Sequence, residues 1–136
     1  MFHLGPVGAG ATMKLAVNSV VFALNQALAE ALVLAERAGI DRAAAYDVFG
    51  ASAIAAPYVH YKRAAFVDPA SAGVAFRLGL VAKDLALIEA LAGRAGATME
   101  QLDATRAAVR AAVEAGYEDE DMSAVASFLR DSTRPA

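Results

Sequence analysis

The chain has 136 residues, enough for one domain with a substantial core; hydrophobic residues make up 58% and charged residues 20%. A net charge of −3 and a pI of about 5.3 supply no basic surface for phosphates, which argues against a nucleic-acid partner. With no cysteine, disulfides, thiolate metal sites and a Cys nucleophile are excluded, and a cytoplasmic location is the expectation.

Alanine, the strongest helix former, is abundant, and only 10 glycines and 4 prolines punctuate the chain, so closely packed helices are predicted. Residues 1–10 read as a short extended or looped lead-in. A long helix is predicted from about Ala11 to Ala38. Its apolar positions Leu15, Val17, Val21, Phe22, Leu24, Leu28, Leu32 and Leu34 cover more than one stripe, which predicts burial on most sides. The most apolar stretch, Leu15 to Leu34, is interrupted by Asn18, Asn25, Gln26 and Glu30, so no membrane span is predicted. The N-terminus has neither the basic region nor the cleavage pattern of a signal peptide. The mean hydropathy of +0.43 predicts instead an apolar surface covered by a partner chain or domain.

Gly39 suits a helix C-terminus and Asp41 an N-cap, giving a second helix that ends at Gly50. Pro57 opens a short helix through Tyr58 and Tyr61, and Asp68 to Gly73 read as a loop. A helix from about Phe76 to Ala95 carries Leu78, Val81, Leu85, Ile88 and Leu91 on one side and stops at Gly96. Thr98 is the predicted N-cap of a helix from Met99 to Ala115, closed by Gly116. The acidic run Glu118 to Asp121 precedes a last helix from Met122 to near Arg130, and residues 131–136 are expected to fray. With no strand pattern of useful length and no internal repeat, the predicted fold is an all-α bundle over residues 11–130, built around the long first helix.

The segment Gly5-Pro6-Val7-Gly8-Ala9-Gly10 is neither a Walker A loop nor a Rossmann fingerprint. Lys14 lacks the required neighbours, Met13 stands where a third glycine belongs, and no strand precedes. Gly8 and Gly10 either admit close approach of a ligand or domain to the first amides of the helix, or form a plain hinge. Lys14 and Asn18 lie four residues apart on one helix face. A lysine near the positive end of the helix dipole contradicts the stabilising choice of Asp or Glu. Buried, it would have a lowered pKa suited to acid–base work near neutrality, with Asn18 holding a substrate oxygen. A solvated surface pair is the plainer alternative. Asn25 continues the polar stripe, and a helix–helix hydrogen bond is its expected role. Lys83-Asp84 places two charges inside the apolar run Leu80 to Leu87. Either the lysine serves a ligand and the aspartate a structural partner, or both face solvent. His3 and His60 fit no metal-ligand spacing, and no metal site is predicted.

Taken in order, these motifs resemble the C-terminal domain of the β-hydroxyacid dehydrogenases, the 3-hydroxyisobutyrate dehydrogenase family, which includes tartronate semialdehyde reductase and glyoxylate/succinic semialdehyde reductase. The likeness is carried by Gly5, Gly8, Gly10, Lys14 and Asn18; by Glu30 to Ala35 followed by Gly39-Ile40-Asp41; by Lys83-Asp84-Leu85; and by the ending from Gly116 to Val125 with its Asp121 and Ser123. The resemblance implies a fold like the C-terminal domain of 6-phosphogluconate dehydrogenase, residues 1–10 as an interdomain segment, and a homodimer built on the long helix. It implies an NAD(P)-dependent oxidoreductase in which Lys14 is the catalytic acid/base. Asn18, Gly8 and Gly10 would bind a small hydroxy-acid substrate, and Lys83 would reach the cofactor side. Side chains near Phe76 to Leu80 would finish the pocket. NAD or NADP would be held mainly by the family's N-terminal Rossmann domain, absent from these residues, so the isolated chain is expected to be inactive. A non-catalytic helical interaction module that keeps the fold is the alternative. Another is a domain of an imine reductase-like enzyme, against which the retained Lys14 argues.

Overall fold

A computed structural model of the chain describes residues 2–132. Its axis is α1 (Ala9–Arg37), 29 residues long and so roughly 43 Å at the α-helical rise. It is followed by α2 (Arg42–Ala51), α3 (Pro57–Tyr61), α4 (Arg63–Val67), α5 (Leu78–Ala95), α6 (Glu100–Ala112) and α7 (Val125–Ser132). Helices α2, α5, α6 and α7 all pack on α1. Among the described residues the sole strand-like feature is an isolated antiparallel bridge between Arg77 and Asp121. The all-α prediction therefore holds.

Local signals set most boundaries. Gly8, at φ +99°, turns the chain into α1, which starts at Ala9 rather than Ala11. The Asp41 carboxylate accepts from the Ala44 amide at 3.0 Å and caps α2. Pro57 opens α3, and Gly96, at φ +66°, ends α5. Other boundaries answer to tertiary contacts. Helix α5 begins at Leu78, not Phe76, because Phe76 and Arg77 run extended beside Glu120 to Met122. The Met122 amide donates to the Phe76 carbonyl at 2.8 Å, and the Leu78 amide to the Glu120 carbonyl at 2.9 Å. Thr98 caps nothing: Met99 occupies the N-cap of α6 with no side-chain bond. Helix α6 stops at Ala112 and widens into a π-type turn over Val113–Tyr117, where Gly116 takes φ +100°. Helix α4 was not predicted; it follows a corner at Lys62. Asp131 and Ser132 belong to α7 rather than to a frayed tail, and the Tyr117 hydroxyl donates to Asp131 at 2.5 Å. Residues 133–136 of that predicted tail lie outside the described residues.

The core draws Phe22, Leu28, Leu32 and Val33 from α1, Tyr46 from α2, Leu78, Val81, Leu85 and Ile88 from α5, and Leu102 and Val109 from α6. Their spacing along α5 and α6 is that of a single apolar stripe; Ala92 rather than Leu91 closes it on α5. Burial of α1 on most sides is not what the fold achieves. Its fully buried positions start at Phe22; upstream, Leu15 and Val21 are partly buried against the core, while Met13, Val17 and Val20, and Leu34 downstream, are exposed. Residues 9–14, the first turn and a half of α1, contain no buried residue. By length and composition alone α1 could cross a membrane; in this fold it is the central core helix, with Asn25 and Gln26 buried among its neighbours. Its C-terminal end is tied down by Glu36, which accepts from Arg42 at 2.8 Å and from Arg130 at 2.7 Å. Burial pushes the Glu36 carboxyl upward, but hydrogen bonds from Arg130 and Arg42 outweigh it and hold its pKa below the ordinary glutamate value.

Candidate functional site

The N-terminal half of α1 meets α5 at Asn18. This half-buried side chain donates its amide to the Asp84 carboxylate at 3.3 Å. Beside it opens a small cleft of about 210 Å³, lined by Asn18, Val21 and Phe22 of α1, Tyr61 at the end of α3, Ala75 and Phe76 ahead of α5, and Met122. The rings of Phe22 and Phe76 pack against each other in its wall, centroids 6.2 Å apart. A cleft of this size suits a ligand of a few heavy atoms, since pockets for drug-sized molecules run from roughly 300 to 1,000 Å³. A larger hollow of about 340 Å³ between α5 and α6 contains none of the predicted site residues, and its Arg106 is ion-paired with Glu89.

The cleft wall is tightly bonded. Asn25, buried on α1, donates to the Met122 carbonyl at 2.9 Å and accepts from the Tyr58 hydroxyl at 2.7 Å. The helix–helix bond expected of Asn25 is thus a bond from α1 to both α3 and the segment before α7. Burial raises the Tyr58 hydroxyl pKa well above its ordinary value, so it stays a donor. Behind Tyr61 the Lys62 ammonium is buried and reaches both Asp121 oxygens, at 2.7 and 2.8 Å. Burial pushes the Asp121 carboxyl upward. Hydrogen bonds from Lys62 and from the Ser123 and Phe76 amides outweigh it and hold its pKa below the usual aspartate value.

The predicted residues fall as follows. Lys14 is the sixth residue of α1, one turn before Asn18 on the same face. It is exposed and has no hydrogen-bond or ion-pair partner among the described residues. The burial on which its expected acid–base tuning rested is therefore not present within this chain. The earlier helix start also moves Lys14 out of the first turn, where the dipole acts most strongly. Lys83 is exposed and directly precedes Asp84, so α5 carries it to the end of the bundle where Asn18 lies. Of the Phe76 to Leu80 stretch, Phe76 lines the cleft, but Leu78 is fully buried core. Gly8 has a conformational reason to be glycine, its positive φ. Gly10 has none: a Cβ there would meet nothing within 4 Å. In the isolated chain Gly10→Ala should therefore raise stability by up to about 1 kcal/mol, the usual helix penalty of glycine, as read from urea unfolding. If the glycine is kept for close approach, the same change should lower kcat/KM once a partner domain is present.

Sequence reasoning missed Lys62, Tyr61 and Met122. Lys62 stands in the run Tyr61-Lys62-Arg63, which reads as surface. Asp121 sits in an acidic run; its place two residues before Ser123 was the one cue, an N-cap bond now seen at 3.0 Å.

The chain is thus an all-α bundle whose long first helix carries Asn18 at a small cleft and Lys14 one turn before it. Over residues 8–129 the chain matches the family described as NAD-binding of NADP-dependent 3-hydroxyisobutyrate dehydrogenase; it belongs to the 3-hydroxyisobutyrate dehydrogenase family. It is 32% identical over 129 residues to the chloroplastic glyoxylate/succinic semialdehyde reductase 2 of Arabidopsis thaliana, covering 95% of this chain and 36% of that protein. Against glyoxylate/succinic semialdehyde reductase 1 of the same plant it is 33% identical over 131 residues, covering 96% and 45%. The crystal structure of 3-hydroxyisobutyrate dehydrogenase from Salmonella typhimurium superposes with a TM-score of 0.82 at 29% identity, covering 89% of this chain and 42% of that one. The Mycobacterium tuberculosis 3-hydroxyisobutyrate dehydrogenase with L-serine gives 0.82 at 30% identity, covering 95% and 46%. The chain thus spans less than half the length of these relatives, and corresponds to their helical C-terminal domain.

Proposed function

We propose that this chain is the substrate-side domain of an NAD(P)-dependent oxidoreductase acting on small hydroxy acids and the matching aldehyde acids, with Lys14 as acid/base. The observation that carries the reading is the Lys14–Asn18 face ending at a cleft too small for a dinucleotide and sized for a compact acid. The mycobacterial relative described with L-serine, a small molecule bearing both hydroxyl and carboxylate, fits the same ligand class.

When bound, the nicotinamide supplies or takes up the hydride. The residues of this chain do the rest. The Lys14 ammonium gives a proton to the substrate oxygen in the reductive direction and its amine takes one back in the oxidative direction, while its charge favours the developing alkoxide. Asp84 accepts one N–H of Asn18 and so sets the amide's orientation, leaving the second N–H for the substrate oxygen. Lys83 serves the cofactor side. The exposed apolar residues Met13, Val17 and Val20 supply surface for the N-terminal domain and a second subunit. Closure of that domain over Lys14 would furnish the desolvation it lacks here.

The test is to assemble the chain with an N-terminal NAD(P)-binding domain, from its own upstream sequence or from a relative. Nicotinamide absorbance is then followed with a panel of small hydroxy and aldehyde acids. Turnover by the assembly and none by the 136-residue chain is the expected result. An assembly that binds cofactor but turns over no member of the panel would point to the non-catalytic module instead.

A further inference from the structure

We propose that the buried Lys62–Asp121 pair is a positioning device for the substrate cleft, in which one carboxylate fixes the three segments that make its outer wall. This rests on reading the cleft as the substrate site. The Asp121 Oδ1 atom accepts from Lys62 at 2.7 Å and from the Ser123 amide at 3.0 Å. Its Oδ2 accepts from Lys62 at 2.8 Å and from the amides of Ala75 and Phe76 at 3.0 and 3.2 Å. Those bonds hold the Lys62 corner next to Tyr61, the extended Ala75–Phe76 segment, and the turn beginning at Met122. Tyr61, Ala75, Phe76 and Met122 are the cleft residues that α1 does not supply.

Stability does not explain the pair. A buried ion pair can usually be replaced by apolar side chains of similar volume without loss, and Lys62, 1% exposed, gives up its hydration entirely. What an apolar pair could not do is accept the amides of Ala75, Phe76 and Ser123 at one point. None of the three segments lies inside a long helix; two of them are also joined by backbone bonds, the Met122 amide donating to the Phe76 carbonyl at 2.8 Å, and Asp121 is the one group that bonds all three. Lys62 is a corner between two five-residue helices, and Ala75 is exposed. The Lys62 ammonium, 5.6 Å from the Tyr61 ring centroid, also links the charge to the one exposed aromatic of the cleft. Lys62 and Asp121 touch no substrate in this arrangement; they act through Phe76, Met122 and Tyr61.

The decisive variant is the charge-neutral double change K62M/D121N, which keeps volume and one carbonyl acceptor and leaves no unpaired charge. In the assembled enzyme it should fold, raise the substrate KM about tenfold and change the KM for the nicotinamide cofactor by less than about twofold. A folded double variant with unchanged substrate KM overturns the proposal. Amide exchange measured by NMR on the parental 136-residue chain reads the same wall without catalysis. The Ala75 and Phe76 amides should exchange about 100-fold more slowly than an open loop, and Asp121→Ala, which removes every side-chain acceptor, should abolish the difference. Loop-like exchange in the parent overturns the positioning role even if no variant folds. The two readings fail separately. Protected amides in an assembly without turnover remove the substrate assignment alone; turnover with unprotected amides removes the positioning role alone.

Discussion

Lys14→Ala should lower turnover of the assembled enzyme by about 10² to 10⁴-fold, the usual contribution of a placed general acid/base. The melting temperature of the 136-residue chain should not fall. The side chain is exposed and unpartnered among the described residues, so its removal takes nothing from the fold, and alanine is the better helix former. A pH–rate profile separates the catalytic role from a purely electrostatic one. An acid/base lysine gives a limb that disappears in the variant, whereas Lys14→Arg, charged but unable to exchange its proton near neutrality, should keep substrate affinity and lose turnover. Survival of most of the rate in Lys14→Ala would remove Lys14 from the chemistry and leave Asn18 and the cleft as a binding site only.

The largest loss of stability is expected from breaking the buried pair on one side. Lys62→Met strands the Asp121 carboxylate, and such changes cost about 3–5 kcal/mol, a large part of the roughly 5–15 kcal/mol that holds a domain folded. Urea unfolding measures it, and pH gives it a signature. In the parent the Asp121 pKa is held below its ordinary value of 3.8. The pair's contribution is therefore fully present above the unfolded-state pKa and is lost as the pH falls through the folded-state one, below about pH 4. In Lys62→Met the principal opposing influence on burial is gone, so the carboxyl pKa should rise above its unfolded value. Protonation then favours the folded form, and the deficit relative to the parent should shrink on going from pH 7 toward pH 4. A deficit independent of pH would mean that Asp121 is solvated and that the pair is not the buried hub described here. Asp121→Ala should be damaging in another way: it removes the acceptor of three backbone amides and leaves a buried ammonium, a defect that acid does not repair.

Such a hub is invisible to a reading along the chain for a definable reason. Asp121 was legible as a residue that suits a helix start, and it does bond the Ser123 amide. Its partner Lys62 lies 59 residues away, in a run of polar and aromatic residues with no periodicity to mark a buried face. The pairing of Asn18 with Asp84 spans 66 residues and was foreshadowed only as an unnamed structural partner for the aspartate. Phe76 was placed near the pocket by family resemblance, but the helix assigned to it does not begin until Leu78, because backbone bonds to Glu120 and Met122 hold Phe76 and Arg77 extended. The long helix was correctly located, yet its apolar character did not say which half would be covered.

What the order of residues decided here is short-ranged: helices from alanine content and apolar spacing, their ends from Gly8, Asp41, Pro57 and Gly96, and Lys14 and Asn18 on one face because a helix repeats every 3.6 residues. These follow from backbone sterics and i to i+4 geometry, which reach no further than a turn or two. The cleft, the exposed half of α1, the extended Phe76–Arg77 segment and the Lys62–Asp121 pair were settled by contacts between distant segments. Burial of a charge or an amide depends on which surfaces meet across the bundle, and no local propensity specifies that meeting.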